Sequence, residues 1–117
     1  MNLESKVYRI EDIVFEKEPL VSEAELRNYF NFVIGNDPIK MYFCGPKMEC
    51  SFALHGEIYI LEEHFKKYII LHEIAHAVKR PAKNPHGKAW QKRYCDLVEK
   101  FLDRDGAREL RLAFQKL

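Results

Sequence analysis

Tyr68-Ile69-Ile70-Leu71-His72-Glu73-Ile74-Ala75-His76-Ala77-Val78 decides how the rest of the chain is read. Ile70, Leu71, Ile74, Ala75, Ala77 and Val78 leave almost no polar face, so this segment reads as a buried helix. Within it, His72 and His76 stand four residues apart, one above the other on a single helical face, where both rings can converge on one metal ion. Glu73 lies beside them and reaches a water on that ion without ligating it. Two imidazoles and a carboxylate buried in an apolar helix need partners, and a zinc ion supplies one.

Downstream, Pro81 stops this helix near Lys79 or Arg80. Pro81-Ala82-Lys83-Asn84-Pro85 reads as a loop, with Asn84 and Pro85 suited to N-cap and first-turn positions of a second helix. Trp90, Tyr94, Leu97, Val98 and Phe101 recur at helical spacing, carrying that helix to about Leu102. Asp103-Arg104-Asp105-Gly106 reads as a break, and a last helix turns Leu110, Ala113, Phe114 and Leu117 inward. A catalytic zinc generally takes three protein ligands and keeps a fourth position for water. The one histidine after His76 is His86, at the head of the second helix, which a loop between antiparallel helices can fold back over the metal face.

Upstream, Cys50–Leu54 and Glu57–Leu61 flank His55-Gly56 and read as a hairpin. Gly56–Ile60 is expected to be the edge strand beside the active helix, open to an extended peptide. Glu62 and Glu63 suit the first turn of the helix that follows, where its dipole favours negative charge. Ile39–Cys44 reads as a strand stopped by Gly45-Pro46. Ser22 with Glu25 three residues later is a capping box, starting a helix over about 23–33 with Ala24, Leu26, Tyr29, Phe30 and Val33 inward and Gly35 beyond its end. Residues 7–15 fit a strand or a short helix equally.

A chain of 117 residues with a hydrophobic fraction of 47% and a charged fraction of 32% has the composition of one soluble domain spanning 1–117. No run approaches the roughly 18 apolar residues of a membrane helix, and the N-terminus lacks a signal-peptide core, so a cytoplasmic protein is expected. Cys44, Cys50 and Cys95, an odd count, fit reduced, buried thiols. The net charge of +1 hides an uneven distribution. Residues 1–38 are acidic, whereas residues 79–93 carry Lys79, Arg80, Lys83, Lys88, Lys92 and Arg93 with no acid, a segment able to make weak nucleic-acid contact.

Taken together, His72-Glu73-Ile74-Ala75-His76 and His86-Gly87-Lys88-Ala89-Trp90 resemble the SprT-like group of zincin metallopeptidases, including minimal members from bacteria and phages. The resemblance covers about residues 56–102. It implies an α+β fold, with a short antiparallel-containing sheet packed on the active-site helix and further helices toward the C-terminus. It also implies one zinc ion held by His72, His76 and His86, with Glu73 as general base in peptide-bond hydrolysis. The C-terminal zinc ribbon that many SprT-like proteins use to hold DNA is missing from this sequence. A donor for the oxyanion of the reaction is required as well, and Tyr59, Tyr94 and His55 all stand as candidates.

Other readings of the same residues exist. Peptide deformylases pair His-Glu-x-x-His with an upstream cysteine, a place Cys50 would fill. Structural zinc would recruit Cys44, Cys50 or His55 as fourth ligand. A non-proteolytic zinc-binding module that kept the fold would rely on the basic 79–93 segment for a nucleic-acid or protein partner.

Overall fold

The computed structural model describes residues 2–44, 51–78 and 85–117. Its elements are α1 (Leu3–Val14), α2 (Glu23–Ile34), β1 (Lys40–Cys44), β2 (Phe52–Leu54), β3 (Glu57–Leu61), α3 (Lys67–Ala77), α4 (Lys88–Phe101) and α5 (Arg104–Phe114), with a single 3₁₀ turn at Glu62–His64. Five helices and a small mixed sheet make this an α+β protein. None of the described helices is long and apolar enough to cross a membrane.

Residues 7–14 resolve as helix, with Phe15 as its C-cap. Asn2 caps α1 by accepting from the Ser5 N–H at 2.8 Å. Val7, Glu11 and Phe15, spaced by four, form its buried stripe. The Ser22 hydroxyl likewise accepts from the Glu25 N–H at 3.1 Å, starting α2 at the residue its sequence indicates. Leu26 and Phe30 are buried there and Tyr29 and Val33 half-buried, but Ala24, in the first turn, is exposed. Gly35 closes α2 in the left-handed region at φ 57°.

The sheet corrects one expectation. Its order is β1-β3-β2, so β3 is the central strand and Gly56–Ile60 is no edge. β1 runs parallel to β3 with Lys40 opposite Glu57, and β2 runs antiparallel with Leu54 opposite Glu57. Burial agrees with the order: Ile58 and Ile60 are fully buried and Leu61 nearly so, as suits a central strand whose face is covered by helices. The edge strand beside α3 is β2, whose outer side no described strand pairs. The turn between β2 and β3 pivots on Gly56 at φ 82°. The Gly56 N–H donates to the Ala77 carbonyl at 3.1 Å, so the hairpin tip satisfies a carbonyl at the end of α3. The proposed stop at Gly45-Pro46 lies outside the described residues.

Three helix boundaries also differ from expectation. Glu62 and Glu63 sit in the separate 3₁₀ turn, because Phe65 is pinned outside the helix: its carbonyl accepts the Val21 N–H at 2.8 Å and its ring packs on Phe43. Pro85 precedes α4 instead of opening it, and the N-cap is Gly87, extended at φ −72° and ψ −176°; Asn84 lies outside the described residues. Finally, only Leu102 and Asp103 separate α4 from α5. The Asp103 side chain accepts from the Asp105 N–H, and Gly106 falls inside α5, where a Cβ would stand 3.2 Å from the Phe15 ring.

α3 lies between two cores. Tyr68, Leu71 and Ala75 face a cluster built from α1, α4 and α5. Ile70, Ile74 and Ala77 face a second one, built from α2 and the sheet, that includes Leu26, Phe30, Met41, Ile58 and Ile60. The histidine-bearing helix is thereby fixed from both sides.

Candidate metal centre

His72 and His76 project from one face of α3, as their spacing dictates, and His86 joins them from the turn just before α4. The Nε2 atom of His86 lies 3.2 Å from that of His76 and 3.3 Å from that of His72. The ligand atoms of the three lie within 4.8 Å of one another. Nitrogens held tetrahedrally at the usual zinc–imidazole distance of about 2.0–2.1 Å would stand roughly 3.3–3.4 Å apart. Two of the three nitrogen pairs match that spacing, and the three imidazoles lie close enough together to hold a single metal ion.

Several groups hold this arrangement. The extended Gly87 ends the turn that brings His86 back over α3, and the Gln91 side-chain amide donates to the His86 carbonyl at 2.9 Å. Trp90 backs all three rings, stacked on His76 at 5.0 Å and edge-on to His72 and His86, each at 4.7 Å. Its indole N–H donates to the His72 carbonyl at 3.3 Å. Arg93 donates to the Ala75 carbonyl at 3.0 Å, satisfying an acceptor in the last turn of α3.

The residue that sequence reasoning missed is Glu11. Its carboxylate, from the middle of α1, accepts from His72 Nδ1 at 2.8 Å and from the Tyr94 hydroxyl at 2.6 Å, with all three side chains buried. A carboxylate accepting from Nδ1 fixes the imidazole tautomer and leaves Nε2 bare toward the other two histidines. Burial works against a charge on His72, but Glu11 outweighs it and the net effect raises the His72 pKa. The sequence did carry a signal for Glu11: a lone acid four residues from Val7 and four from Phe15, on an apolar stripe.

The other two histidines are held neutral. Burial, assisted by His72 and His86, lowers His76 to about 3, and burial with His72 lowers His86. Metal binding requires neutral imidazole. Glu73 is 5% exposed, makes no hydrogen bond or ion pair among the described residues, and lines a cleft of about 380 Å³ together with His72 and Tyr8. Burial raises its pKa to about 7, against the pull of His72 and with Glu11 adding repulsion.

The three suggested oxyanion donors are not brought to the cluster's open side. Tyr94 is fully buried behind His72, its hydroxyl committed to Glu11. Tyr59 stacks between Tyr42 and Phe52 on the sheet and donates to Glu57 at 2.7 Å. His55 is exposed at the hairpin tip. Of the basic 79–93 segment, residues 79–84 lie outside the described residues. Lys88 reaches the Phe114 carbonyl, Lys92 pairs with Asp96 at 2.8 Å and Arg93 is engaged with Ala75. Cys95 is a buried thiol raised to about 11 by burial, Cys44 is half-buried, and Cys50 lies outside the described residues.

No family model matches this sequence, and neither the curated proteins nor the solved structures contain a match to it.

Proposed function

We propose that the chain is a zinc-dependent metallopeptidase of the minimal, SprT-like zincin kind, with His72, His76 and His86 as ligands and Glu73 as general base. One observation carries the reading: His86 Nε2 lies 3.2 Å from His76 Nε2 and 3.3 Å from His72 Nε2, the three ligand atoms fall within 4.8 Å of one another, and Glu73, buried beside them on the cleft wall, has no hydrogen-bond or ion-pair partner among the described residues. When bound, zinc supplies Lewis-acid polarisation of a carbonyl and makes water acidic enough to lose a proton near neutral pH. Glu73, one residue from His72 and facing the cleft, accepts that proton and passes it to the departing amine. Glu11 and Tyr94 keep His72 in the ligating tautomer, and Trp90 keeps the three rings from turning away.

The outer side of β2 supports a peptide substrate, since β2 packs on α3 and an extended chain can add to that edge through main-chain hydrogen bonds. A non-proteolytic binding module has no need of a carboxylate at position 73, and the three described cations of 85–93 already have partners within the chain. The test is casein cleavage beside zinc content. Wild type and Glu73→Gln should hold equal zinc while only wild type cleaves. Equal cleavage by the two proteins contradicts the assignment of Glu73.

A further inference from the structure

Ser51 and His64 form a second polar pair on the wall of the cleft that contains His72 and Glu73. Ser51 precedes β2 and is 9% exposed; His64 ends the 3₁₀ turn and is half-buried. The Ser51 oxygen accepts the Leu61 N–H at 3.0 Å and stands 2.9 Å from His64 Nδ1. A serine hydroxyl has one proton to give, and His64 Nδ1 is the one acceptor within its reach among the described residues. With the Ser51 hydroxyl donating to Nδ1, the His64 N–H is on Nε2, and the ring lines the cleft.

The other donors near the cleft are less suitable. The hydroxyls of Tyr8, Tyr59 and Tyr94 are all given to carboxylates, those of Glu4, Glu57 and Glu11. Tyr68 lies in the field of Glu11, Asp12 and Glu18, which would repel a developing negative charge. Lys66 lines the cleft on a flexible stem, its ammonium group in no hydrogen bond or ion pair among the described residues. Among the described residues lining the cleft, His64 is the donor held by a relay that starts at a backbone amide, the preorganisation that oxyanion donors require.

We infer that His64 is the substrate-positioning donor of this site, its Nε2–H directed at the carbonyl oxygen of the peptide bond under attack, with Ser51 setting its tautomer. The inference rests on the metallopeptidase reading for its substrate and on the Ser51–His64 pair for its geometry. Three measurements test it. Nitrogen-15 NMR of the metal-free protein should report His64 as the Nε2–H tautomer; the Nδ1–H tautomer overturns the inference. With zinc bound, His64→Ala should lower kcat by ~10²–10³-fold with little change in KM, while His64→Gln, which keeps an N–H donor, recovers part of the loss. Ser51→Ala should cost less than His64→Ala. Unchanged zinc content and thermal midpoint in His64→Ala exclude a folding effect.

A peptide phosphonate, a tetrahedral anion, supplies a readout apart from turnover. It should bind wild type more tightly than His64→Ala by a factor similar to the loss in kcat. If wild type binds it in a His64-dependent way yet cleaves nothing, hydrolysis fails and the donor assignment stands. If wild type cleaves and His64→Ala cleaves equally, the donor assignment fails and hydrolysis stands. A phosphonate that binds neither protein overturns the donor assignment.

Discussion

The two cores flanking α3 are built differently. The one shared with α2 and the sheet is wholly apolar, with Ile58, Ile60 and Ile70 fully buried. The one shared with α1, α4 and α5 is threaded by a polar line from Glu11 to His72 and Tyr94, with Trp90 closing it. Burying a carboxylate and an imidazole is costly unless each finds a partner, and these side chains satisfy one another. The apolar core supplies stability and fixes the height and tilt of α3. The polar core uses that fixed helix to set the proton position of His72. Substitutions should therefore separate the two, altering stability on one side and metal affinity on the other.

The sharpest separation is at the site itself. Glu73→Gln should lower peptide cleavage by ~10²–10⁴-fold, the usual contribution of a general base, with zinc retained; steady-state kinetics beside metal analysis reads both. On the apolar side, Ile58→Ala should cost about 2–5 kcal/mol of stability in urea unfolding and leave the zinc affinity of the folded protein unchanged. On the polar side, Glu11→Gln should weaken zinc ~10–100-fold by competition with a chelating dye while shifting the unfolding midpoint far less than Ile58→Ala. A large loss of stability with unchanged metal affinity in Glu11→Gln would erase the distinction between the cores. The smallest effect is remote from both: Ser22→Ala should cost about 1 kcal/mol through the lost cap of α2, with zinc affinity untouched.

How much of this was legible in the sequence follows from the range of each signal. The α2 cap, the His72/His76 face and the Trp90–Val98 stripe are local patterns, and the structure keeps them. His86 was legible as a candidate because a short connection between α3 and α4 limits where it can go. Glu11 carried only its place on the Val7–Phe15 stripe as a signal, since the residues around it fit strand and helix alike and its partner His72 lies 61 residues away. The position of β3 escaped for a related reason: a hairpin pattern specifies that β2 pairs with β3 but says nothing about β1 arriving in parallel on the far side. The Ser51–His64 pair escaped because it depends on a 3₁₀ turn where the charge pattern of Glu62 and Glu63 suggested the start of a helix.

The convergence of three imidazoles is the claim on which the rest depends, and metal analysis of purified wild type beside His86→Ala tests it most directly. One zinc ion per wild-type chain, and none retained by a folded His86→Ala after dialysis against a weak chelator, is the predicted result. Zinc held equally well by the two proteins would contradict it.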